Sequence, residues 1–141
     1  ITMRRRSNPY ATNPADVKLD EATKTDRRQK ENLGALWTFG ALASLADGGA
    51  SSGTIYQTAG DQGVIGADGQ PYPLYEVVKL FASFQGRPVE HLESSDALTI
   101  DAVLFDKKIL AIANLSADTV EVKWEGRSFI LEAGEVRTEK I

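Results

Sequence analysis

Leu74-Tyr75-Glu76-Val77-Val78-Lys79-Leu80-Phe81-Ala82-Ser83-Phe84-Gln85-Gly86-Arg87 is the stretch that decides the fold, because the period of the apolar residues changes at its end. Leu74, Val77, Val78, Phe81 and Phe84 recur at helical spacing and define one face turned toward a core. Pro73 suits the first helical position, where its missing N–H costs nothing, and Gly86 caps the far end. From Arg87 onward the period falls to two. Leu98, Ile100, Ala102 and Leu104 alternate with Thr99, Asp101, Val103 and Phe105, and Val120, Val122 and Trp124 alternate with Glu121, Lys123 and Glu125. Turns are expected at Asp106-Lys107, Glu125-Gly126-Arg127 and Ala133-Gly134. The strands between them are Lys108–Leu115, Ser128–Leu131 and Glu135–Glu139, a spacing that predicts an antiparallel sandwich.

Upstream of that boundary the pattern alternates between strand and helix. Ile1–Arg6 reads as a short strand, Asn8-Pro9 as a turn, and residues 11–23 as a long polar loop. Thr25 or Asp26 can cap a helix carrying Leu33, Leu36, Trp37, Phe39, Leu42, Ala43, Leu45 and Ala46. These positions cover most of the circumference, so the helix is expected to be largely buried, with Trp37 in the core. Gly48-Gly49 ends it, and Ser52–Thr58 is the next strand, followed by a Gly-rich loop to Gly69. The predicted class is therefore α/β followed by all-β. Residues 1–86 would supply the last two β/α units of a TIM-type barrel and residues 87–141 a C-terminal antiparallel β-sandwich domain. Two units cannot close such a ring, so the chain is expected to be part of a larger protein, an expectation strengthened by Ile at position 1 and by Met3 as the only methionine.

Composition narrows the classes. There is no cysteine and only one histidine, His91, which excludes disulfides, thiolate metal sites and a multi-histidine centre within this chain. No cofactor is expected. Half of the 16 Lys/Arg lie in residues 1–30, beside only four of the 20 Asp/Glu. The Arg4-Arg5-Arg6 run lacks interleaved aromatics and precedes an acidic remainder, which argues against nucleic acid. No apolar run approaches the ~20 residues that span a bilayer, so no membrane partner is expected.

In an α/β barrel the chemistry lies at the C-terminal ends of the strands. That rule selects Arg6 and Asn8 after the first strand, and Tyr56 and Gln57 at the end of the second, as residues that could bind sugar hydroxyls or a carboxylate. Asp26 is a helix cap first and a possible site residue second. His91 has no carboxylate or serine at a meaningful sequence spacing and reads as structural. Glycoside hydrolysis usually needs two carboxylates flanking the scissile bond, and neither strand end offers one, so no catalytic residue is assigned here. Gly60-Asp61-Gln62-Gly63 has neither the P-loop nor the dinucleotide pattern.

Arg6-Ser7-Asn8-Pro9-Tyr10-Ala11-Thr12, Asp26-Arg27-Arg28-Gln29, Gly34-Ala35-Leu36-Trp37-Thr38 and Thr54-Ile55-Tyr56-Gln57-Thr58-Ala59-Gly60 together resemble the C-terminal part of D-apionate lactonase-like proteins, relatives of glycoside hydrolases with a (β/α)8 barrel. Tyr72-Pro73-Leu74-Tyr75 and Asn114-Leu115-Ser116 fit the same pattern. The resemblance implies a carbohydrate or sugar-acid ligand, a glycosidase or lactonase activity in the parent, and the N-terminal remainder of the same protein as the partner. It also implies a glutamate in a Tyr-Glu-Thr-Thr-Gly motif, where this chain has Gln57. Glutamine hydrogen-bonds but cannot act as base or nucleophile at neutral pH. A carbohydrate-binding or interaction module without catalysis is the alternative, and it would need a row of exposed aromatics on one face of the β tail.

Overall fold

The computed structural model describes residues 26–141. Arg6, Asn8 and the expected first strand lie outside them. A 3-10 turn, Arg27–Lys30, leads into α1 (Asn32–Asp47), and the short strands β1 (Gln57–Ala59) and β2 (Gly63–Ile65) precede α2 (Leu74–Ser83). Six strands follow: β3 (Val89–Leu92), β4 (Ile100–Phe105), β5 (Ile109–Asn114), β6 (Val120–Trp124), β7 (Arg127–Leu131) and β8 (Val136–Lys140). The order is α/β and then all-β, as the change of period requires. Among the described residues no ring of strands closes; β1 and β2 pair in parallel, and every other strand pair is antiparallel.

The all-β part is a four-stranded sheet in the order β3-β4-β5-β8, with the β6–β7 hairpin packed on one face. Strand β5 explains the layering. Ala111 and Ala113 point toward Phe39, Leu74 and Val77 of the helices, while Leu110 and Ile112 point toward Phe129 and Leu131 of the hairpin. A strand covered on both faces reads as a continuous apolar run, which is why Ile109–Ala113 lacks polar alternation. The small alanines let the helices approach the sheet, and Phe39, Phe81, Phe105 and Phe84 fill the seam. Phe39 and Phe105 each meet the Phe81 ring edge to face, at 5.6 and 5.0 Å, and Phe84 stacks on Phe105 at 4.5 Å. The helices and the sheet thus share one core across residue 87.

The hairpin turns fall where expected. Glu125 and Gly126, at φ 46° and 78°, form the two-residue connection whose twist matches the flanking strands. Asp106 and Lys107 also adopt positive φ, which disfavours side chains. The Asp106 carboxylate is held there by Arg87 and Lys108, and its N–H donates to Pro88 O at 2.8 Å.

Several expectations change. The strand expected over Ser52–Thr58 shrinks to Gln57–Ala59, and its register pairs Gln57 with Gly63 and Ala59 with Ile65 across a three-residue loop. Strand β3 did not stand out, because Val89-Glu90-His91-Leu92 is short and polar; its backbone partners on β4 make it a strand. The largest change concerns α1. It buries Ala35, Leu36, Thr38, Phe39 and Ala43, but Trp37 is 53% exposed and Leu33 44%, so Trp37 is not a core residue. None of the helices among the described residues is long and apolar enough to cross a membrane.

Candidate functional site

The described part of the site is built around the entry to β1. Tyr56 packs against the helix–sheet core, and its hydroxyl lies 2.9 Å from Thr38 Oγ1. Thr38 is fully buried in α1 and donates to Gly34 O at 2.6 Å, so Tyr56 acts as the donor toward Thr38. This bond pins the strand entry to α1. Gln57 is the next residue and is exposed. Its backbone N–H donates to Gln62 O, while its side-chain amide forms no hydrogen bond among the described residues. Two donors and an acceptor are therefore available to a ligand.

The loop after β1 is held from the other side. Lys30 Nζ donates to Asp61 Oδ1 at 2.6 Å and lies 5.8 Å from the centre of the Tyr72 ring. The hydrogen bond to Asp61 raises the lysine's pKa above its usual value, with smaller support from Tyr72. Gly63 has to be glycine. A Cβ there would come within 2.6 Å of the Ala59 carbonyl carbon, because the chain doubles back within a few residues.

Asp26 caps the 3-10 turn. Its Oδ1 accepts from the Arg28 N–H at 2.9 Å, and the carboxylate also receives the Arg28 guanidinium. The guanidinium hydrogen bonds, then the backbone one, hold its pKa down to about 2. A carboxylate ionised throughout the physiological range and committed to a neighbouring arginine is a poor proton donor. The next helix begins at once, and Gly34 packs so closely on the Gln29 carbonyl that any Cβ would overlap it. Gln29 itself is buried, with its Nε2 unpaired among the described residues.

One pair was missed in the sequence. His91 Nε2 lies 2.6 Å from Asp101 Oδ1, with the side chains 28% and 13% exposed. They are ten residues apart and meet only through the β3–β4 register. His91 pairs with Val103, so Asp101, two residues before it on β4, lies diagonally on the same face. Only knowledge that β3 exists would have revealed this contact.

The structure thus brings Tyr56 and Gln57 to one strand entry. It turns the tyrosine hydroxyl inward, leaves the Gln57 side chain without a partner among the described residues, and commits Asp26 to Arg28. In the β tail, Phe105 and Phe129 are buried, and Trp124 packs against the hairpin core, so these three aromatics form no exposed row.

No curated protein and no solved structure matches the chain significantly. Residues 1–86, well over half of the chain, match the family described as D-apionate lactonase, TIM barrel domain. The match covers the Tyr56–Gln57 strand entry and both helices, and it ends where the antiparallel strands begin. By this match the chain belongs to the D-apionate lactonase TIM-barrel family.

Proposed function

We propose that the chain is the C-terminal part of a carbohydrate-active hydrolase, a glycosidase or a sugar-acid lactonase. In this reading residues 1–86 supply the last two β/α units of the barrel and residues 87–141 its C-terminal β-domain. Arg6, Asn8, Tyr56 and Gln57 line the substrate cleft. The observation that carries the reading is the family match over residues 1–86; within it Gln57 opens β1 and its side-chain amide has no hydrogen-bond partner among the described residues. Arg6 and Asn8 rest on the strand-end rule alone.

The roles follow from the chemistry of the groups. The Gln57 amide donates to a lactone carbonyl or ring hydroxyl and accepts from a neighbouring hydroxyl; it orients the ligand without moving a proton. Tyr56, its hydroxyl engaged by Thr38, supplies the edge of its ring and sets the position of Gln57. The Arg6 guanidinium suits a sugar-acid carboxylate, which it can grip with two parallel hydrogen bonds. Proton transfer belongs to carboxylates in the remainder of the barrel.

The test is sugar-acid binding by calorimetry in the polypeptide as its gene encodes it. Gln57→Ala and Arg6→Ala should each weaken the binding of an aldonate or aldonolactone by roughly tenfold or more, the cost of one or two lost hydrogen bonds to a charged or polar ligand. Unchanged affinity in both variants refutes the cleft assignment.

A further inference from the structure

Gln57 is tied on both sides to one neighbouring segment of chain, residues 30–38. On its N-terminal side the Tyr56 hydroxyl bonds to Thr38 of α1 at 2.9 Å. On its C-terminal side the tie runs through the loop after β1. The Gln57 N–H donates to Gln62 O at 3.3 Å, and the loop is closed by Gly63 N–H to Gly60 O and Gly60 N–H to Ile65 O, both at 2.9 Å. Strand β1 is three residues long and meets β2 at only two register positions, Gln57 with Gly63 and Ala59 with Ile65. So short a strand has little ladder of its own, and its place follows that of residues 60–62.

Lys30 holds that loop. Its Nζ donates to Asp61 Oδ1 at 2.6 Å and stands 5.8 Å from the centre of the Tyr72 ring, and the Tyr72 N–H donates to Val64 O at 3.0 Å. One ammonium therefore engages residues on both sides of β2, Asp61 before it and Tyr72 after it. Lys30 is suited to anchor them because it closes a packed turn. The preceding Gln29 is buried against Gly34 and donates its N–H to Asp26 O at 3.0 Å, and the Asp26 carboxylate caps the Arg28 N–H. The Lys30 and Asp61 side chains are 31% and 64% exposed, so their pairing adds little to global stability. What it governs is where the loop lies.

We infer that Lys30 is a positioning residue for the Gln57 amide: by holding Asp61 it sets the 60–62 loop, and the loop sets the strand entry from which Gln57 reaches its ligand. Lys30 touches no substrate in this arrangement and acts only through Gln57. The consequence for binding rests on the cleft reading given under Proposed function; the tie from Lys30 to Gln57 does not.

Lys30→Met, Lys30→Arg and Asp61→Asn, made in the polypeptide as its gene encodes it, test this with two measurements. Amide exchange reads the tie without any ligand. The Gln57 N–H should exchange about threefold faster in Lys30→Met and in Asp61→Asn at an unchanged urea midpoint, while Lys30→Arg stays close to wild type. Calorimetry with a panel of aldonates reads the consequence. Lys30→Met should weaken binding about threefold in the wild-type background and have no further effect in Gln57→Ala, where nothing is left to position. Unchanged Gln57 exchange in both charge-removing variants overturns the inference. So does an equal loss of affinity in both backgrounds, which would make Lys30 a direct ligand contact, and so does unchanged affinity alongside faster exchange. If the wild type binds no aldonate, the cleft reading falls, and Gln57 exchange alone decides whether the tie stands.

Discussion

Replacing Asn114 with alanine should cost more than any other polar substitution among the described residues. Asn114 is fully buried at the end of β5, and its side chain ties three segments together. Its Nδ2 donates to Asp118 O at 2.7 Å and Glu132 O at 2.9 Å, with a longer contact to Leu131 O, while Oδ1 accepts from the Ser116 N–H and hydroxyl at 3.0 and 2.8 Å. Alanine removes four good hydrogen bonds, each with a net contribution of about 0.5–1.5 kcal/mol. Some of the freed groups lie near the surface and regain water, so the loss should be about 3 kcal/mol rather than the full sum. Against a typical domain stability of roughly 5–15 kcal/mol that is a large fraction. Urea unfolding followed by tryptophan fluorescence should show the midpoint fall by about 1–2 M with an unchanged slope. Asn114→Asp should be worse near neutral pH, because a carboxylate would face backbone carbonyl oxygens. It should recover part of the loss in acid, where the protonated group can donate again. A loss under about 1 kcal/mol for Asn114→Ala would refute the claim that this residue joins the β5–β6 and β7–β8 connections.

Gly34→Ala should destabilise by roughly 2 kcal/mol or more, although alanine is the better helix former, because its methyl would overlap the Gln29 carbonyl; thermal melting reads the difference. Asp26 has a folded pKa depressed to about 2, so its stabilisation is present above its unfolded value near 4 and is lost as pH falls from about 4 to about 2. Amide exchange of Arg28 and Gln29 should rise through that window in the wild type and be independent of pH there in Asp26→Ala, after correction for intrinsic exchange. Phe105→Ala should cost about 3–5 kcal/mol and loosen the helices and the sheet together, as one core requires, so that probes at Phe39 and Ile112 unfold at the same urea concentration. Separate transitions would refute the shared core.

Much of the fold was legible because period is a local signal. The α2 stripe from Leu74 to Phe84, the Gly48-Gly49 end of α1 and the Glu125-Gly126 turn each carry their cause within a few residues. What was hidden depended on pairing. Val89-Glu90-His91-Leu92 lacks the apolar alternation of a strand and is one because β4 lies beside it; with that strand went the His91–Asp101 contact. Trp37 misled for a different reason. Apolar residues all around a helix announce that all sides can meet something, but not that every partner lies among the described residues. At the candidate site, the strand-end rule selected Tyr56 and Gln57 for a strand ending at Thr58, whereas Gln57 opens β1 and Tyr56 precedes it, because the pairing with Gly63–Ile65 begins only at Gln57; the inward turn of the Tyr56 hydroxyl toward Thr38 required the packing of α1.

The most direct test of the central claim is turnover. The polypeptide as its gene encodes it should hydrolyse at least one member of a panel of aldonolactones and aryl glycosides, with kcat/KM reduced at least tenfold in Gln57→Ala. No hydrolysis across both panels, together with no binding of any sugar acid, would contradict the assignment of this chain to a carbohydrate-active hydrolase.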